Sequence, residues 1–180
     1  QAAAVRILPL SGNIGDWSIT IEGKPTQPGE NPNGDWQVVT PGYFETMGIR
    51  LASGRFFTDQ DRADAPLVVV INQTMAERYW PGEEVLGKRF SLGAEQPAMV
   101  TIVGVTQAVR HEAVVETPRQ EMYLVHSQFP REVQFAPRGM TLVIKTASDP
   151  RAMAGPVREI IRRLDPNLPV TEIGAMEDRI

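Results

Sequence analysis

Five consecutive branched apolar residues, Leu67-Val68-Val69-Val70-Ile71, constrain this chain more than any other stretch. Successive side chains of a strand point to opposite faces, so an apolar run without alternation predicts a strand covered on both sides. Asn72 follows directly and is placed to cap a helix. That helix carries Met75, Ala76, Tyr79 and Trp80 as one apolar stripe, and Pro81-Gly82 stops it.

Upstream, Trp36, Val38 and Thr40 alternate with Gln37 and Val39, the two-residue period of a strand. Pro41-Gly42 ends it and starts a short turn or helix with Tyr43, Phe44 and Met47. Gly48 closes that element, because glycine accepts the left-handed backbone of a helix exit. Thr58-x-x-Asp61 has the spacing of a capping box and predicts another helix start.

The flanks read as further strands over residues 3–8, 17–22, 88–92, 99–105, 120–125, 140–145 and 168–173. Residues 24–34 are rich in Pro, Gly and Asn and predict an exposed loop, and 127–138 an irregular one with two prolines. Asp149-Pro150 pairs an N-cap with proline at the first helical position. Met153, Val157, Ile160, Ile161 and Leu164 then form a helical stripe, with a kink or late start expected at Gly155-Pro156. A last helix start is expected at 176–180.

With 180 residues, the chain can bury a real core as one domain or two small lobes. Eighteen basic against 22 acidic residues give a net charge of −4, which favours neither nucleic acid nor an anionic membrane surface. Cysteine is absent, excluding disulfides and thiolate metal sites. No window approaches the roughly 18–20 apolar residues that span a bilayer, and no signal peptide is visible at Gln1.

Two stretches, YFETMGIRLASGRFFTDQD and VVVINQTMAERYWPGEEVLGKRF, carry a resemblance, together with Ile102-Val103-Gly104-Val105 and Met122-Tyr123-Leu124. They resemble the extracytoplasmic core domain of MacB-type ABC transporter permeases, a group that includes the FtsX-like permeases. The resemblance implies an α+β fold of two lobes. Residues 1–55 and 137–180 would form a porter-like lobe of strands packed with a long helix, and 56–136 an inserted sabre-like lobe. It further implies a non-catalytic segment lying outside the inner membrane, between membrane helices that this chain lacks. Such a domain would couple ATP hydrolysis by a separate cytoplasmic ABC ATPase to substrate movement or partner engagement. A second permease copy and a periplasmic adaptor are the implied partners, with no cofactor. The alternative is an FtsX-like scaffold that recruits a periplasmic enzyme or adaptor without transport.

Motifs that suggest chemistry read more plainly as structure. Gly82-x4-Gly87-Lys88 imitates a phosphate loop, but Arg89 replaces the Ser or Thr that holds magnesium. The helix precedes it and the strand follows, the reverse of the order that aims amides at an anion. Asp59, Asp61 and Asp64 begin like a calcium loop but lack its glycine and its distal glutamate. His111 and His126 have no nucleophile context, so no catalytic or metal residue is assigned. Arg158, Arg162 and Arg163 lie off the helical stripe on an ordinary solvated face. Of the aromatic residues, Trp80 beside Pro81 and Phe129 in the proline-bracketed loop are the candidates for partner contact.

Overall fold

A computed structural model describes residues 1–9, 11, 14–93, 98–108, 118–133, 137 and 139–179. In chain order the strands are β1 (Ala2–Val5), β2 (Asp16–Ile21), β3 (Asn33–Val39), β4 (Leu51–Gly54), β5 (Val68–Asn72), β6 (Arg89–Leu92), β7 (Met99–Thr106), β8 (Glu121–Val125) and β9 (Thr141–Ile144). The α-helices are α1 (Tyr43–Met47), α2 (Gln73–Tyr79), α3 (Phe129–Val133) and α4 (Ala154–Leu164).

The apolar run becomes β5, at the centre of the sheet, between β7 in parallel and β8 in antiparallel. All five residues of β5 and of β8 are buried, as an unalternating strand requires. β3 runs parallel to the other edge of β8, and β6 lies antiparallel on β7. β2 pairs with both β6 and β3, so six strands close on themselves in the order β2-β6-β7-β5-β8-β3. Closure removes the exposed edges that an open sheet must protect. Beyond the ring, β1 joins the end of β3 through Val5 and Val39 and carries β9, while β4 pairs with the end of β7.

Alternation along the central strands builds two cores. Val69 and Ile71 of β5 join Met122 and Leu124 of β8 inside the ring, with Ile19, Val38, Phe90 and Ile102 from the other four strands. Val68, Val70, Tyr123 and Val125 face the other way, against Tyr43 and Phe44 of α1 and against Phe57. Each fully buried aliphatic or aromatic side chain contributes on the order of 1.5–3 kcal/mol. Both cores therefore lean on the same two strands.

Where β4 meets β7, two glycines let the backbones cross. A Cβ on Gly104 would lie 2.1 Å from the Arg55 carbonyl oxygen. One on Gly54, where φ is +77°, would lie 2.3 Å from that of Val103. The register slips here on both sides of β7, between Val69 and Val70 of β5 and between Leu51 and Ser53 of β4.

Several expectations change. The Thr58–Asp61 contact forms, with the Thr58 amide donating to the Asp61 carboxylate at 2.8 Å, but no helix follows. Pro66 and the start of β5 leave too few residues for one, so the pair closes a turn instead. Residues 168–173 are not a strand, since no sheet edge is paired with them. The loop at 127–138 contains α3, and β4 has no alternation to announce it because all four of its residues are exposed. Asp149 caps a 3₁₀ turn, Pro150–Met153, through the Arg151 amide at 2.9 Å, and α4 starts late, at Ala154. The expected end helix is a 3₁₀ turn, Met176–Arg179.

Candidate functional site

Polar side chains inside this fold tie elements together. Asn72 caps α2 by accepting from the Met75 amide at 2.9 Å, and the same oxygen accepts from the Glu121 amide at 3.1 Å. Its side-chain amide donates to the Arg119 carbonyl at 2.7 Å, so one residue holds β5, α2 and β8 in register. The Tyr123 hydroxyl donates to the Glu121 carboxylate at 2.7 Å. Burial, with that carboxylate nearby, pushes the Tyr123 and Tyr43 phenols above their ordinary range, so neither ionises at neutral pH.

Arg6 crosses the opening of the ring. Its guanidinium donates to the carbonyls of Ile14 and Trp36, the latter at 2.7 Å, and lies 3.6 Å from the Trp36 ring centroid. Burial lowers its pKa to about 10, which still leaves it charged at neutral pH. Trp36 in turn stacks on Phe129, with centroids 5.5 Å apart and planes 8° from parallel.

Among the described residues, those singled out by sequence do not converge. Glu83, inside the phosphate-loop imitation, accepts from Lys24 and from Lys88 at 2.7 Å each. These two hydrogen bonds pull its carboxyl down to about 2. Lys88 is thus committed to a carboxylate in a turn that feeds β6. Of the three aspartates, Asp59 and Asp64 are exposed while Asp61 is buried. Asp61 accepts from both terminal nitrogens of Arg55 at 2.8 Å. His126 is exposed just after β8, and His111 lies outside the described residues. Among the described residues no three His, Asp or Glu side chains gather as metal ligands would.

Trp80 and Phe129 are corrected as surface residues. They are 3% and 0% exposed, and both belong to the ring interior. Proline neighbours suggested exposure, but Trp80 closes the end of α2 over Phe90, and α3 turns Phe129 inward. Exposed apolar surface lies elsewhere. Leu142 of β9, Ile160 and Leu164 of α4, and Leu168, Val170 and Ile173 after it are each at least 36% exposed. No residue of α4 is fully buried: Ile160 and Leu164 of the stripe read from sequence are exposed, while Met153, Val157 and Ile161 are half-buried. No helix among the described residues is long and apolar enough to cross a membrane.

Asp61 gives the fold a pH dependence. Burial alone would raise its pKa, but hydrogen bonds from Arg55 and Thr58 outweigh that and hold it below its ordinary value of 3.8. A depressed folded-state pKa adds stability that is present above the unfolded value and lost as pH falls through the folded one. Asp61→Asn is expected to lower the unfolding free energy by about 2–3 kcal/mol at pH 7. The gap from the parent should shrink below pH 4, which urea titrations at pH 7 and pH 3 would read.

Comparison with known proteins adds a lineage. Residues 7–162 match the family model described as MacB-like periplasmic core domain. Among solved structures, the periplasmic region of MacB from Actinobacillus actinomycetemcomitans aligns with TM-score 0.64 at 16% identity. That alignment covers 91% of this chain and 66% of the MacB region, so the chain spans just under two thirds of it. The extracellular domain of the noncanonic ABC-type transporter YknZ from Gram-positive bacteria aligns with TM-score 0.59 at 17% identity, covering 93% of this chain and 94% of that one. No curated protein matches the chain.

Proposed function

Since the chain belongs to the family of MacB-like periplasmic core domains, we propose that it is a non-catalytic body through which an ABC permease passes motion outside the membrane. In this reading ATP is hydrolysed by a separate cytoplasmic ATPase, and membrane helices outside this sequence carry the resulting movement to the domain. A second permease copy faces it, and a periplasmic adaptor is the further partner. The observation that carries the proposal is the shared wall of two cores. β5 and β8 are buried on both faces and hydrogen-bonded to each other, so a push at the β1/β9 end reaches the ring without a soft joint.

The finer division belongs to the same proposal: residues 1–55 with 137–180 as a porter-like lobe, and 56–136 as an inserted sabre-like lobe. β3 and β8, one from each, pair along five positions. The two lobes would therefore tilt together rather than hinge apart.

These 180 residues contain no cysteine, so a thiol introduced among them is the only one this domain carries. Single cysteines at the exposed positions Gln60, Glu77 and Arg158 would be introduced into the full permease and crosslinked between copies, with and without ATP. At least one position should change its crosslinking several-fold with nucleotide. Identical patterns in both states, combined with stable capture of a periplasmic enzyme or adaptor, would favour the FtsX-like scaffold instead.

A further inference from the structure

Asn33-Gly34 is the only Asn-Gly pair in the sequence, and it stands at the start of β3. Glycine has no side chain to hinder its own nitrogen, so this is the most labile context an asparagine can have. The Gly34 nitrogen can attack Cγ of Asn33, expelling ammonia as the Cγ–Nδ2 bond breaks and leaving a cyclic succinimide. Water then opens the ring at either carbonyl, giving aspartate or isoaspartate at position 33. Packing favours glycine there all the same. Gly34 is buried, and a Cβ on it would already touch Sδ of Met75 at 3.4 Å and the Gln120 carbonyl oxygen at 3.6 Å.

Hydrogen bonds on two sides hold the pair in strand geometry. Toward β2, Gly34 lies opposite Trp17. The Ile19 amide donates to the Pro32 carbonyl at 2.8 Å, and the Trp36 amide to the Gly15 carbonyl at 3.3 Å, either side of that position. Hydrogen-bonded positions alternate along an antiparallel ladder, so the Gly34 amide faces β2 and the Asn33 backbone faces the other way. On that other side, the ladder with β8 begins only at Asp35. The Tyr79 hydroxyl takes the missing place. It accepts from the Asn33 amide at 2.9 Å and donates to the Asn33 carbonyl at 2.7 Å. A single side-chain oxygen from α2 thus substitutes for a paired strand residue. The Tyr79 backbone is itself tied down, because Lys24 donates to its carbonyl at 2.8 Å.

We propose that Asn33 is a deamidation site and that Tyr79 is its guard. Ring closure requires the Asn33 Cα–C bond to rotate well away from its strand value, so that the Gly34 nitrogen comes round to Cγ. That rotation pulls the Asn33 carbonyl off the Tyr79 hydroxyl and the Gly34 amide off β2. Isoaspartate at this position reroutes the backbone through the side chain and lengthens it by one methylene. The Ser18–Asn33 end of the β2–β3 pairing then loses its register, and that pairing is the one that closes the ring.

Peptide mass spectrometry with isoaspartate-specific methylation, on the 180-residue chain held at pH 8 and 37 °C, measures the conversion. The folded parent should deamidate at Asn33 about tenfold or more slowly than a free peptide of residues 28–38. Tyr79→Phe keeps the ring that packs against the first core and removes only the hydroxyl. Losing its two hydrogen bonds should speed conversion about fivefold to thirtyfold. Gly87→Ala separates local from global opening, since it strains a left-handed turn (φ +82°) that does not touch Asn33. Its rate should stay within about twofold of the parent's. A parent as fast as the peptide, a Tyr79→Phe rate equal to the parent's, or an equal acceleration in Gly87→Ala would each overturn the proposal.

Discussion

Phe129→Ala is expected to lower the unfolding free energy by about 3–5 kcal/mol, the cost of emptying a large aromatic site in a closed interior. Phe129 is fully buried and stacked on Trp36, which is itself contacted by Arg6 on the ring and by Trp17 at 5.1 Å. Loss of the phenyl ring leaves a cavity beside Trp36 and the half-buried Arg6 guanidinium that stacks on it. Urea unfolding followed by tryptophan fluorescence reads both effects, since Trp36 reports directly on its lost partner. An unchanged midpoint would return Phe129 to the surface role that its sequence neighbourhood suggested.

Gly104→Ala should be nearly as severe for a different reason. The added methyl would meet the Arg55 carbonyl oxygen at 2.1 Å, a backbone atom that cannot rotate away. β4 and β7 would have to separate, at a cost of more than about 3 kcal/mol. For a chain of this size that corresponds to roughly 6–12 °C in Tm. Gly87→Ala is the comparison: it has φ +82° but nothing within 4 Å of the new Cβ. There the loss should stay at about 1–2 kcal/mol, the ordinary cost of a left-handed non-glycine residue. Gly104 has no left-handed φ, so a loss no larger than that of Gly87→Ala would mean that β4 and β7 separate cheaply and the close crossing does not constrain this position.

Much of the fold was legible because the relevant signals are local. The run at 67–71, the Asn72 cap and the Gly48 exit each follow from one or two residues and their neighbours, and all three form. The reversed order around Gly82 and Gly87 likewise disposed of the phosphate loop before any distance was known. Other features have no local signature. β4 is exposed throughout and owes its existence to β7, fifty residues away. The arginine under Trp36 comes from the end of β1, and Phe129 is buried only because α3 folds beneath the ring. The strand expected at 168–173 failed by the same logic: alternation makes a segment fit to pair but does not supply the edge.

By itself, the sequence determined that the run at 67–71 must be hidden, that Asn72 caps a helix and that Gly48 ends one. Tertiary structure alone decided that β2 closes the sheet into a ring, that one pair of strands walls two cores, and that Ile160 and Leu164 of α4 stay exposed. The division has a physical cause. Periodicity, capping and glycine conformation act within a few residues, whereas pairing and burial depend on which distant segments the chain brings alongside.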